Sequence, residues 1–140
     1  MPWIPCLELV NLESSRSWIL TLGGGASFSI QYEHSMYGAE VREHYLAGQG
    51  EIRLVAVETS HPGVAGYYGF EGSGPRYELT REMPEVLLRV RMGPGRQVLV
   101  GKRETKITDL GMPGERILLR PTFCSVAKVL FNGFGLRGRP

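Results

Sequence analysis

The sequence predicts an all-β domain, an antiparallel two-sheet sandwich of about nine strands with little or no helix. Three observations predict it. Apolar and polar residues alternate over short runs. The cleanest run is SFSIQYEHS (27–35), with Phe28, Ile30 and Tyr32 on one face and Ser27, Ser29 and Gln31 on the other. Turn residues recur about every 8–12 positions, the spacing of sandwiches and barrels. No segment carries a 3.6-residue apolar stripe over three turns, as a packed helix requires.

Each element follows from these patterns. CLELVNL (6–12) alternates weakly, and SWILTL (17–22) ends at Gly23-Gly24-Gly25, a loop signal. After 27–35 come EVREHYLA (40–47) and EIRLVAVET (51–59), separated by Gly48-Gln49-Gly50. SHPGVAGYYGFEGSGP (60–75) reads as one long loop or a broken edge segment. RYELT (76–80) and EVLLRVRM (85–92) are strands, and Gly93-Pro94-Gly95 turns the chain into RQVLVGKRE (96–104). TKITDLGMPGE (105–115) is a connection with room for one helical turn, and RILLRPTF (116–123) and SVAKVLF (125–131) complete the sheets. Residues 1–131 form a single domain, and NGFGLRGRP (132–140) is by composition a flexible basic tail.

Composition narrows the function classes. The chain has 140 residues, 42% of them hydrophobic, which suffices for a buried core. A net charge of +2, with basic residues dispersed among acids, provides no nucleic-acid footprint. No run of 18 apolar residues exists to span a bilayer. The opening MPWIPCLELV has neither a basic n-region nor a long apolar h-region, so no secretion signal is expected in it. The two cysteines, Cys6 and Cys124, read either as buried thiols or as a bridge, which requires the strands that carry them to be neighbours. No Cys-x-x-Cys occurs, so a structural zinc site of the ribbon kind is not expected, and no cofactor is expected either.

The chemistry concentrates in QYEHSMYGAEVREHY (31–45), where Glu-His occurs twice and two of the three histidines fall. In a hairpin of 27–35 with 40–47, His34 and Glu43 lie on the inward face and Glu33 and His44 on the outward one. A two-residue turn at Gly38-Ala39 sets His34 opposite Glu43 and Glu33 opposite His44. A four-residue loop, Met36 to Ala39, leaves the inward pair diagonal. The pleat keeps all four from converging on one metal. The inward pair reads as a polar clasp of His34, Ser35 and Glu43 closing the sheet end, or as the lining of a small-ligand or metal-binding pocket with His61 and the aromatic loop residues Tyr67 and Tyr68. The outward pair reads as a solvated cross-strand contact.

Other motifs weaken on inspection. Ser125-Val126-Ala127-Lys128 has Ser-x-x-Lys spacing, but it alternates as a strand where that chemistry needs a helix. Gly23-Gly24-Gly25 precedes a strand and is followed by no Lys-Ser/Thr, so it is no phosphate cradle. Ser35 is adjacent to His34 in a strand and points away from it, so the two form no nucleophile–base pair.

FSIQYEHSMYGAEVREHYLA, EIRLVAVET, PGVAGYYG, EVLLRVRMGPGRQVLVGKRE and DLGMPGERILLR together resemble a family of small bacterial domains of unknown function encoded beside TRAP-type (TAXI-class) tripartite transporters. The family's aromatic-x-aliphatic-x-Tyr-x-His-Ser run, with a Glu eight residues on and then a Tyr, falls on Phe28, Ile30, Tyr32, His34, Ser35, Glu43 and Tyr45. Its Leu-x-Leu-Arg-Val element is matched in part by Leu87, Leu88, Arg89 and Val90. The glycine loop departs, since PGVAGYYG only approximates the family's Gly-Ala-Gly followed by Pro. The resemblance covers residues 7 to 120 or so. It implies an extracytoplasmic, non-enzymatic accessory or binding module of a solute uptake system, with a transporter component or solute-binding protein as partner. It implies no known reaction.

Overall fold

The computed structural model describes residues 3–34, 37–48, 50–59, 61, 63–64, 76–93 and 95–127. Ten strands run through them: β1 (Trp3–Asn11), β2 (Ser17–Thr21), β3 (Ser27–His34), β4 (Ala39–Ala47), β5 (Ile52–Glu58), β6 (Arg76–Met83), β7 (Val86–Arg89), β8 (Gln97–Val100), β9 (Arg103–Lys106) and β10 (Arg116–Ser125). They form two antiparallel sheets, β2-β1-β10-β7 and β6-β5-β4-β3-β8-β9. The all-β sandwich read from the alternation is the fold that forms. Helix among the described residues is confined to the 3-10 turn Ile107–Asp109, in the predicted connection, and to the short helical pieces at 63–64 and 126–127.

Two predicted strands differ. The segment 96–104 is a hairpin, β8 turning into β9 at Gly101-Lys102, with Val100 facing Arg103. Gly101 takes a φ of 59°, a left-handed conformation that a glycine adopts without steric cost. The strand expected over 125–131 does not form as predicted. β10 ends at Ser125, Val126 and Ala127 are helical, and 128–131, like the tail 132–140, lie outside the described residues. Pro121 sits within β10, which pairs with β7 only as far as Leu119. Beyond that point, among the described residues, one side of β10 has no ladder to disrupt, so a residue without an N–H is tolerated.

The facing sides of the two sheets share one core, which includes Leu7, Leu9, Trp18, Phe28, Ile30, Val41, Leu54, Val98, Ile117 and Leu119. Period-2 alternation puts Cys6 on the other face of β1, where it packs with Ile19 and Cys124. The strands carrying the cysteines are neighbours, but Ile4 faces Cys124 and Cys6 faces Thr122. The thiols are therefore diagonal, about 7–8 Å apart at the backbone. That exceeds the usual disulfide Cα span of about 4.4–6.8 Å, and both cysteines are buried thiols.

Asn11 ties loops to the core and is 1% exposed. Its side-chain amide donates to the Leu110 carbonyl at 3.1 Å and to Glu115 Oε1 at 3.2 Å. Its Oδ1 accepts from the Glu13 and Ser14 N–H groups at 2.9 and 3.0 Å. A buried amide is stable only when satisfied in this way. Gly111 lets the loop approach, since a Cβ there would lie 2.5 Å from Asn11 Nδ2.

Candidate functional site

The β3–β4 hairpin is in register with His34 facing Ala39 and Ile30 facing Glu43. β3 ends at His34 and β4 begins at Ala39, and the Gly38 N–H donates to the His34 carbonyl at 2.8 Å. The expected inward and outward sets hold, because paired numbers still add to an odd total. The partners do not hold. The turn closes earlier than either predicted geometry, so His34 and Glu43 are neither opposite nor diagonal. Four strand positions separate them, about 13 Å along the pleat. The clasp of His34 with Glu43 is thereby corrected, and Ser35, its third member, lies outside the described residues. The outward pair is corrected for the same reason: Glu33 faces Glu40, and His44 faces Ser29.

Each inward residue has its own environment. Glu43 Oε1 accepts the Tyr45 hydroxyl at 3.0 Å, two residues along one strand face. The Tyr45 ring stacks on Phe28 with centroids 5.0 Å apart. Burial, and then the charge and hydrogen bond of Glu43, push the Tyr45 hydroxyl far above the ordinary tyrosine pKa. Arg96, whose charge acts in the opposite direction on Tyr45, lies 4.5 Å over the Tyr32 ring.

At the hairpin end the fold unites two of the predicted residues through a third that the sequence reading did not single out. His34 is 8% exposed and its ring lies 5.3 Å from that of Tyr37. Tyr37 in turn stacks on His61 with centroids 4.6 Å apart. Gly63 makes the stack possible, because a Cβ there would stand 2.6 Å from the Tyr37 ring. His61 is fixed on both sides: its backbone N–H donates to Thr59 Oγ1 at 3.3 Å, and its Nδ1 accepts from the Gly63 N–H at 3.0 Å. In the neutral ring the proton therefore sits on Nε2. The half-buried His61 and the exposed Tyr37 form the accessible side of a histidine–tyrosine–histidine stack. Tyr67 and Tyr68 lie outside the described residues.

The outer face of the six-stranded sheet carries a polar relay. Ser29 Oγ and His44 Nδ1 are 2.9 Å apart, and His44 Nε2 bonds Glu58 Oε1. Arg76 reaches Glu58 at 3.3 Å and Glu78 at 2.8 Å. A carboxylate only accepts, so the neutral His44 proton belongs on Nε2 and its Nδ1 accepts from Ser29. The order Ser–His–Glu is that of a nucleophile with its base and orienting acid. An acyl-transfer centre also needs donors aimed at a developing oxyanion. Here β3 and β4 are flanked on both sides by paired strands, with a register shift in the β4–β5 ladder between His44 and Tyr45. The relay is a cross-strand network on the outer face of the sheet. Its signal in the sequence was the same period-2 alternation, which placed Ser29 and His44 on the outer face but could not set their register.

Among the described residues no three His, Cys, Asp or Glu side chains are grouped to hold a metal ion. No helix of the described residues is long and apolar enough to cross a membrane. Compared with family models, with curated proteins and with solved structures, the chain matches none.

Proposed function

We propose that this protein is a non-enzymatic binding module, an extracytoplasmic accessory of a TRAP-type solute uptake system, and that it engages its ligand or partner at the β3–β4 hairpin end. The observation that carries the site is the stack of His34, Tyr37 and His61, seated against the backbone at Gly63. Aromatic rings with a polar tip suit recognition, because they offer contact area at little conformational cost. The transport setting rests on the sequence resemblance carried by Phe28, Ile30, Tyr32, His34, Ser35, Glu43 and Tyr45.

The test is a binding assay of the chain against the transporter's solute-binding protein and against small organic anions, followed through the Tyr37 and His61 ring signals. Binding to one of them with shifts in those rings is expected. Gly63→Ala, which forces Tyr37 out of the stack, should weaken the binding while the chain stays folded. If neither the solute-binding protein nor any anion binds, the proposal fails.

A further inference from the structure

The turn from β1 to β2 and the loop that precedes β10 enclose a cleft of about 390 Å³, bordered by Asn11, Arg16, Asp109, Met112 and Glu115 among others. Hydrogen bonds hold both walls. The Asn11 N–H donates to the Arg16 carbonyl at 2.8 Å, so these two residues face each other one step beyond the Val10–Ser17 pair. In the opposite wall the Leu110 N–H donates to the Ile107 carbonyl at 3.0 Å, and the Met112 N–H to Glu115 Oε1 at 2.7 Å. The Asn11 amide fastens one wall to the other through Leu110 and Glu115. The cleft therefore keeps its shape without a ligand.

Two opposite charges border it, one from each wall. Asn11 is on the inward side of β1 with Leu7 and Leu9, so Arg16 opposite it is on the inward side with Trp18 and Leu20. Its guanidinium sits over the Trp18 ring, 5.2 Å from the centroid. Among the described residues its N–H groups have no acceptor. Asp109 comes from the other side. In a 3-10 turn residues three apart eclipse, and here Ile107 and Leu110 are that pair, both buried. Thr108 and Asp109 take the two remaining directions. Thr108 is turned toward Gly95, where a Cβ would stand 3.3 Å from its methyl group. That leaves Asp109 the direction of the β1–β2 turn, where it borders the same cleft as Arg16. No hydrogen bond or ion pair joins its carboxylate to any described residue, Arg16 included. Glu115 is already engaged, its Oε1 accepting from Asn11 and from the Met112 N–H.

We infer that this cleft binds a free α-amino acid as its zwitterion, the carboxylate on the Arg16 guanidinium and the ammonium on the Asp109 carboxylate. An unpaired cation and an unpaired anion on facing walls match a ligand that carries both charges in the reverse order. A simple anion leaves Asp109 as a like charge beside it, and a simple cation meets Arg16 in the same way. A guanidinium held over a ring is restrained before the carboxylate arrives, so less freedom is lost on binding. The exposed Met112 gives the ligand's own side chain an adaptable apolar wall. None of the residues of the His34–Tyr37–His61 stack borders this cleft, so the inference is independent of what that stack binds.

The test titrates the full chain, labelled with ¹⁵N, with L-leucine at low ionic strength. Isocaproate, which lacks the ammonium, and isoamylamine, which lacks the carboxylate, are titrated separately. Saturable shifts at Arg16 Nε and at the Asp109 and Met112 amides are expected with leucine, and each half-ligand should bind about tenfold more weakly or worse. Arg16→Gln and Asp109→Asn should each weaken leucine binding about tenfold, and the exposed Arg103→Gln should leave it unchanged. Arg16→Lys, which keeps the charge and loses the planar fork, should weaken it too and covers the case in which the glutamine variant unfolds. Absent or non-saturating shifts with leucine, or shifts that survive substitution at both Arg16 and Asp109, overturn the site. A half-ligand that binds as tightly as leucine overturns the zwitterion class. A chain that captures the solute-binding protein yet ignores leucine defeats the cleft and leaves the binding module standing.

Discussion

The Tyr45 hydroxyl donates to Glu43 Oε1, two residues back on the same strand face, at 3.0 Å. Glu43 is thus served from its own strand, while its cross-strand neighbour is Ile30. The buried tyrosine keeps its proton because both burial and the adjacent carboxylate oppose a phenolate.

A pH dependence follows for Tyr45. A hydroxyl whose pKa is raised by folding stays protonated in the folded chain where the unfolded chain has lost its proton. Its stabilisation is complete below the unfolded value, about 10, and is lost progressively as the pH climbs above it toward the folded value. Tyr45→Phe should cost about 1 kcal/mol at neutral pH through the lost hydrogen bond. Above pH ~10 it should lose stability less steeply than the parent. Thermal melts at stepped alkaline pH check this, and equal slopes for the two proteins would contradict it.

Asn11 should be intolerant of change. Asn11→Ala removes two donors and an acceptor from a buried position, at a cost of about 2–3 kcal/mol. Asn11→Asp should be worse at neutral pH, because it sets a carboxylate against Glu115 Oε1 and the Leu110 carbonyl, which both require a donor. Part of that extra loss should return as the pH falls toward about 4, where carboxylates take up protons. Urea unfolding of both variants at neutral and acid pH measures the difference.

The outer relay should contribute little despite its length. The side chains of His44 and Glu58 are 22% and 42% exposed. A double-mutant cycle on Ser29→Ala and His44→Ala should return a coupling of about 0.2–1 kcal/mol, and the His44–Glu58 cycle a similar value that shrinks with salt. A coupling several times larger would mean that the network acts as one rigid unit.

Period-2 alternation made the sandwich legible, and it assigned Phe28, Ile30, Val41 and Tyr45 to the core side, where they are buried. Register was not legible. Parity excludes odd slips but not even ones, and several turns through residues 35–39 satisfy it equally, so the His34–Glu43 pairing could not be decided from the strands alone. The hairpin within 96–104 hid behind a single Gly-Lys step with apolar residues before it. His61 was singled out as a pocket residue, but what gives it a place in the stack is Tyr37, a turn residue, and the space left by Gly63. Asn11 carried no signal, since an asparagine ending a weakly alternating run reads as a turn residue until its long-range partners are known.

The pairing of β1 with β10, from Trp3 with Ser125 to Asn11 with Ile117, has a kinetic consequence. All six strands of the larger sheet lie within residues 27–106, so that sheet can assemble from chain already in hand. The four-stranded sheet joins β1 to a strand more than a hundred residues later, so its loop-closure cost falls last. Until β10 arrives, Ile117 and Leu119 are missing from the shared core and β1 lacks its partner on one edge. A nascent chain of this protein is therefore a sandwich with an incomplete core, and the interval before its final strand is when a chaperone has most to protect.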